Sequence, residues 1–324
     1  MDAKETVAYT NNPPAPIITW HQDREPLGHV VCAMGVFDGV HRGHQYLIER
    51  VLEDAAQRHI PAWIITFDLD PVEVLSTEAS PQKLLSNEDR LQMLSQTGVD
   101  GVLVIPFATD VAKMTPDEFC EQVIKPAMTV DALHVGANFR YGAKAQGNTK
   151  TLSDWLHSKG GTLVGHELLD DEDEPITSTR IRGLLASKEI EKANELLSRP
   201  FCLKGRVVEG RKVGRTLGVP TANLKPEYPA ATLCDGGYGG YVDIRGTRYR
   251  GAISVGAPTT FGIFESTIEP HILDFEGNIY GEEIVVSFVM YLRPMKTFDS
   301  VDELRETIME DIARIRKDIS LEKR

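Results

Sequence analysis

Between residues 29 and 167, short β-branched runs take turns with stretches patterned as helices. The candidate strands are "HVVCAM", "AWIITF", "GVLVIPF", "DALHVG" and "GTLVGHE". Between the first two, Leu47, Ile48, Val51, Leu52 and Ala55 fall on one stripe of a helix with a single buried face. Such alternation predicts an α/β domain, a parallel sheet with helices on both faces. "LLDDEDEPITST" follows, and its five consecutive acids, Asp170 to Glu174, read as a solvated loop. "STRIRGLLASKEIEKANELL" then reads as a helix, with Thr177 or Ser178 available as its N-cap.

After "SRPF" at 198–201 glycines multiply and the texture changes. "KGRVVEG", "GGYGGYVDI", "YRGAISVG", "EPHILDF" and "EEIVVSFVMYL" read as strands joined by tight turns, which predicts an antiparallel barrel or sandwich. The chain closes on a helix with Ser300 and Glu303 as a capping box and Val301, Leu304, Ile308, Ile312 and Ile315 as its apolar stripe. The expected divisions are a flexible tail over 1–26, one domain over 27–197 and a second over 198–324. Two domains also suit a chain of 324 residues.

The net charge of −13 provides no overall attraction to nucleic acid or to an anionic membrane, so a phosphorylated ligand needs a local cationic pocket. Cys32, Cys120, Cys202 and Cys234 are far apart and read as reduced thiols. The N-terminus lacks the order of a signal peptide, and no apolar run approaches a membrane span. These features predict a cytoplasmic protein.

Two stretches carry chemistry. In "GVFDGVHRGH", residues 35–44, a strand runs through a glycine turn into a helix. The unpaired N–H groups of a helix start favour an anion, and glycines at 35, 39 and 43 leave room for one to approach. His41 and His44 add donors that can follow charge moving onto a phosphate. In the second stretch, "GRTLGVPTANL", the spacing excludes a P-loop, and no G-x-G-x-x-G occurs. On an extended segment Thr221 and Asn223 face the same way, and their oxygens suit a hard ion such as Mg²⁺.

Both stretches resemble prokaryotic bifunctional riboflavin kinase/FAD synthetases. In the first half the resemblance runs through "GVFDGVHRGH", "TFDLDPVEVL", "LLSNEDRLQML", "VGANFRYG" and "ITSTRIRGLL". It implies a Rossmann-like nucleotidyltransferase sheet on which Gly35, Phe37, Asp38, His41 and His44 contact ATP during adenylyl transfer. It implies further that Asn138 belongs to the nucleotide or flavin pocket and that Ser178, Thr179 and Arg182 form a second phosphate clamp. Arg180 and Arg182 could point one way on a strand but not on a helix; if the helix has begun there, the resemblance favours Arg182.

In the second half "GRTLGVPTAN", "DGGYGGYV", "SVGAPTTFG", "IEPHILDF", "GNIYGEEI" and "RPMKTFDS" resemble the kinase module. By that resemblance Thr221 and Asn223 hold Mg²⁺ and the ATP phosphates, under a loop with Gly210, Gly214 and Arg215. Glu269 is the base for the ribityl hydroxyl, while Phe261, Arg293 and Phe298 border the flavin. ATP, riboflavin and FMN are the implied small-molecule substrates, and oligomeric state is left open.

One departure stands out. The family pattern T-F-D-P-H-P is here Thr66-Phe67-Asp68-Leu69-Asp70-Pro71, which sets a carboxylate where a histidine is usual. Smaller departures fall at Ser254, Thr259, Pro270 and Met295. The leading expectation is an enzyme making FMN and then FAD. One alternative is a riboflavin kinase with a weak or inactive adenylyltransferase domain, and another is a non-catalytic flavin or nucleotide binder.

Overall fold

The computed structural model describes residues 13–69, 82–107, 110–209, 220–256, 267–298 and 300–321. Asp70, Gly210, Gly214, Arg215, Thr259 and Phe261 lie outside the described residues. Contacts divide the chain into two compact units, residues 1–81 with 86–178 and residues 82–85 with 179–324. The change of texture at 197/198 comes later than this parting, because the helices over 179–197 group with the barrel.

The first unit is a six-stranded sheet in which every pairing is parallel. Its strands are β1 (Ile17–Thr19), β2 (His29–Met34), β3 (Ala62–Phe67), β4 (Gly101–Ile105), β5 (Thr129–Gly136) and β8 (Thr162–His166), in the order β1-β4-β3-β2-β5-β8. β2, β3 and β4 are apolar along almost their whole length because both faces of a parallel sheet are covered. Helix α1 (Arg42–Arg58) buries Leu47, Ile48, Val51 and Ala55, four of the five stripe residues, while Leu52 is only partly covered.

The tail expected over 1–26 is corrected in its second half. Ala15 N–H donates to Ser95, Trp20 N–H to Val104 and Leu27 N–H to Ala127, and β1 adds an edge strand beside β4. Main-chain pairing orders this segment together with Ile18, Trp20 and Leu27, which pack against the core of the unit.

The acidic run is corrected as well. Asp170–Asp171 (β9) and Glu174–Pro175 (β10) pair as a hairpin, with Glu172 and Asp173 both at positive φ, as a two-residue turn requires. A second two-stranded ribbon, β6 (Arg140–Tyr141) with β7 (Gly147–Asn148), follows the Asn138 turn. Helices α2 (Asn87–Ser95) and α3 (Thr149–Ser158) open on side-chain caps from Ser86 and Asn148. The single helix expected after residue 177 is two, α4 (Ser178–Ala186) and α5 (Ile190–Leu197), broken where Lys188 takes φ 73°.

The second unit holds a closed six-stranded barrel, which decides between barrel and sandwich. Its strands are β11 (Phe201–Val208), β12 (Asn223–Pro226), β13 (Gly236–Ile244), β14 (Thr247–Gly256), β15 (Thr267–Ile272) and β16 (Glu283–Arg293), in the order β11-β12-β15-β14-β13-β16. The short β12, ending at a proline, was absent from the expected strands. Closure brings β13 and β16 together closely, and a Cβ at Gly240 would sit 1.8 Å from the Ser287 carbonyl. Helix α6 (Val301–Asp318) buries Ile312 and Ile315 against the barrel, with Ile319 just beyond its end. Ser300 caps it by accepting from Glu303 N–H, while the Glu303 carboxylate pairs with Lys296.

Candidate functional sites

In the first unit β2 runs on to β3 and β4 on one side, while β5 lies on its other side. The carboxyl ends of β2 and β5 therefore flank a reversal of strand order, the place where open α/β sheets leave a crevice for ligands. The turn after β2 and the first residues of α1 carry Gly35 to His44, and the turn after β5 carries Asn138.

Phe37 takes a left-handed conformation (φ 59°, ψ 32°) and is buried, and Gly39 follows at φ 80°. His41 occupies the N-cap position of α1. Its ring stacks on that of His44, with centroids 3.6 Å apart and planes 18° apart, and Phe37 meets His44 edge-on at 5.3 Å. Asp38 is buried in the turn, and its carbonyl accepts from the Ser178 hydroxyl at 2.9 Å.

At two of these glycines the protein's own groups also come close. A Cβ at Gly35 would lie 3.3 Å from the Phe37 ring, and one at Gly43 would lie 3.3 Å from both the His41 ring and the Ile176 carbonyl. Bulk at either position would thus press on the rings that shape the turn.

Burial first, then His41 and then Arg90, hold the His44 pKa well below its usual value. The neutral ring is therefore the favoured form, and among the described residues its buried Nδ1 has no hydrogen-bond partner. Arg90, missed at the sequence level because "NEDRLQML" reads as an ordinary polar helix face, is 3% exposed beneath this turn.

Asn138 is exposed at the end of β5, with Oδ1 3.2 Å from the point where a Gly136 Cβ would stand. Thr179 and Arg182 fall in the second unit, where Arg182 Nη2 reaches Thr179 Oγ1 at 3.4 Å and Nη1 reaches the Gln82 carbonyl at 3.5 Å. Since α4 begins at Ser178, Arg180 and Arg182 are on a helix and do not share a direction.

In the second unit the register assembles the expected kinase residues. Thr221 bridges to His271, and Leu224 pairs with Ile268. The same antiparallel offset sets Asn223 opposite Glu269, while Ser254 on β14 pairs with Glu269 from the other side. Ala222, Leu224, Pro270 and Ile272 are buried, and Thr221, Asn223, Glu269 and His271 alternate with them. Asn223, Glu269 and Ser254 thus form a row across three strands on the outer wall of the barrel, with Thr221 two residues along.

Two contacts fix this edge: the His271 ring with the Pro220 carbonyl at 2.8 Å, and Ala222 N–H donating to the Pro270 carbonyl at 2.9 Å. Glu269 Oε1 accepts from the Thr267 hydroxyl at 3.0 Å. Beside Thr221 opens a pocket of about 390 Å³, walled by Val207, Ile272, Phe275, Ile279 and Tyr280.

The segment after β16 reaches the same row, since Met295 Sδ lies 3.8 Å from Ser254 Oγ. Arg293 pairs with Asp311 of α6 at 2.8 Å and lies over the Phe298 ring at 5.7 Å. Asp311 was missed because, in sequence, it belongs to the polar face of a terminal helix.

A family model described as FAD synthetase matches residues 23–180, and one described as riboflavin kinase matches residues 197–319. The bifunctional riboflavin kinase/FMN adenylyltransferase of Pseudomonas fluorescens is 32% identical over 287 residues, 88% of this chain and 92% of that protein. The protein of the same name from Bacillus subtilis (strain 168) is 33% identical over 298 residues, 90% of this chain and 93% of its own length. A crystal structure named as a macrolide-efflux protein from Streptococcus pneumoniae is 30% identical, with a TM-score of 0.82 over 93% of this chain and 98% of that one. Among the described residues no helix is long and apolar enough to cross a membrane.

Proposed function

The chain belongs to the bifunctional riboflavin kinase/FMN adenylyltransferase family, and from that premise we propose a division of labour between its two units. The barrel phosphorylates riboflavin to FMN, and the parallel-sheet unit adenylylates FMN to FAD. The observation that carries this reading is the row Asn223–Glu269–Ser254, with Thr221 at the wall of a pocket that mixes apolar side chains with Glu276 and Asn278.

In the kinase step the pocket beside Thr221 takes the base of ATP, with Phe275 and Tyr280 available to the ring. Thr221 and Asn223 offer neutral oxygens on one face, a donor set that fits Mg²⁺ next to phosphates. Bound there, the ion would neutralise charge on the phosphate oxygens. Glu269 accepts the proton of the terminal ribityl hydroxyl as that oxygen attacks the γ-phosphorus and ADP departs, a contribution of about 10²–10⁴-fold. Phe298 offers a face to the isoalloxazine, and Arg293, held by Asp311, offers a fixed cation beside it.

In the second step a phosphate oxygen of FMN attacks the α-phosphorus of ATP and pyrophosphate leaves. No covalent enzyme intermediate is required, only alignment and charge neutralisation. The start of α1 supplies a favourable field for the phosphates. His44 meets them as a neutral ring, and a polyphosphate beside it favours the imidazolium, so the site gains positive charge as the ligand arrives.

The test is product analysis from riboflavin with excess ATP, with and without Mg²⁺. The expected order is FMN first and FAD second, with both abolished by chelation. FMN accumulating without FAD at any metal concentration would leave a kinase alone, the alternative that Asp70 raises.

A further inference from the structure

We propose that Arg90 is a positioning residue for adenylyl transfer, fastening the turn that presents His41 and His44 to the end of the neighbouring strand. Its Nη1 donates to the Val36 carbonyl at 2.5 Å and to the Thr66 hydroxyl oxygen at 2.6 Å. Its Nη2 donates to the Phe67 carbonyl at 2.6 Å. One guanidinium therefore spans the carboxyl ends of β2 and β3. Thr66, itself fully buried, also donates to the Val36 carbonyl at 3.3 Å and closes the link between them.

Helix α2 is built to deliver this group. Ser86 caps the helix by accepting from Asp89 N–H, which fixes where the first turn begins. Asn87 and Arg90, three residues apart and so on one face, then reach the same strand end. Asn87 Nδ2 donates to the Asp68 carbonyl at 2.5 Å. Asp68 Oδ1 in turn accepts from the N–H groups of Leu69 and Phe107. Carbonyls at the ends of sheet strands usually turn to water, and here side-chain donors from α2 hold those of Val36, Phe67 and Asp68.

Val36 is the residue before Phe37, whose left-handed backbone turns the chain toward His41. Holding the Val36 carbonyl fixes where that reversal starts, and the stacked imidazoles follow from it. A guanidinium keeps its proton in proteins, and its planar fork serves several acceptors that an ammonium cannot serve together. Arg90 also places a permanent positive charge near His44, consistent with its part in depressing that ring's pKa.

The experiment compares Arg90→Gln, Arg90→Lys and Thr66→Val in the full chain, following FMN adenylylation and riboflavin phosphorylation in each preparation. Leu152→Ala, a fully buried position on α3, serves as the control that destabilises the same unit without touching these bonds. Misplacement of reacting groups by about 1 Å costs about 100-fold, so kcat for FAD formation in R90Q should fall by about that factor. The KM for ATP should stay within about threefold, as for an interaction expressed in the transition state. Riboflavin phosphorylation should be unchanged, and R90K should recover about tenfold by retaining the charge and one bond.

R90Q with a wild-type kcat would overturn the proposal, as would a loss no larger than that of L152A at matched thermal stability. If R90Q does not fold, R90K and T66V carry the same comparison. The inference rests on adenylyl transfer by the first unit. An unaltered chain that makes no FAD would defeat that reading, whereas an R90Q variant as active as its parent would defeat only this one.

Discussion

Burial first, then the neighbouring His41 and Arg90, disfavour the imidazolium form of His44 in the first unit. Glu269 is used differently: it stands half-buried on an outer barrel wall, hydrogen-bonded to Thr267 and flanked across strands by Asn223 and Ser254. For Glu269→Gln, which keeps the shape and removes the base, riboflavin turnover should drop about 10²–10⁴-fold. Flavin affinity should change little, since the role proposed for Glu269 lies in transfer and not in binding. Equilibrium titration of riboflavin alongside initial rates separates the two, and a variant with normal turnover would remove Glu269 from the mechanism.

Single residues were the most legible part of the sequence where several chemical types coincided, as in "VFDGVHRGH" and "PTAN". They were least legible where the partner was main chain. Arg90 bonds two carbonyls and a hydroxyl from strands about 23 and 54 positions earlier, which no local pattern reports.

Among the elements, α1, β5 and β8 each carry an imidazole with a depressed pKa: His44, His134 and His166. Burial lowers His134 and His166 as it does His44, and His134 also lies between Asp54 at 3.0 Å and His166 at 2.9 Å. The unfolded chain binds protons at these rings as the pH falls through about 6.5, and the folded chain resists them. Stability is thus complete above that pH and declines below it, by up to about 1.4 kcal/mol per pH unit for a fully excluded proton at His44. Urea unfolding of the first unit between pH 7.5 and 5.5 should show this slope, and His44→Asn should flatten it. A slope indifferent to that substitution would mean that other groups govern it.

At the other end of the chain, Asp311→Asn takes from Arg293 the carboxylate that fixes it beside Phe298. The predicted result is a riboflavin KM raised severalfold, with adenylylation of supplied FMN unaffected; steady-state rates for the two substrates check it. Strand and helix periodicity made the five long strands of the sheet and α1 readable. β1 and β12 were not, since three or four residues carry too little pattern and their order comes from pairing.

For the whole molecule, the alternation of strands with helices and the later rise in glycine separated an α/β unit from a β-rich one. Whether the latter closed could not be read from spacing, because closure depends on glycines such as Gly240 allowing two backbones to meet. On the proposed division of labour, one chain carries two phosphate-transfer sites that work independently. The most direct test is a cross-feeding time course with His44→Ala and Glu269→Gln, each given riboflavin and, separately, FMN with ATP and Mg²⁺. His44→Ala should convert riboflavin to FMN and stop there, while Glu269→Gln should make no FMN yet still convert added FMN to FAD. Loss of both products in either variant would contradict the separation of the two sites.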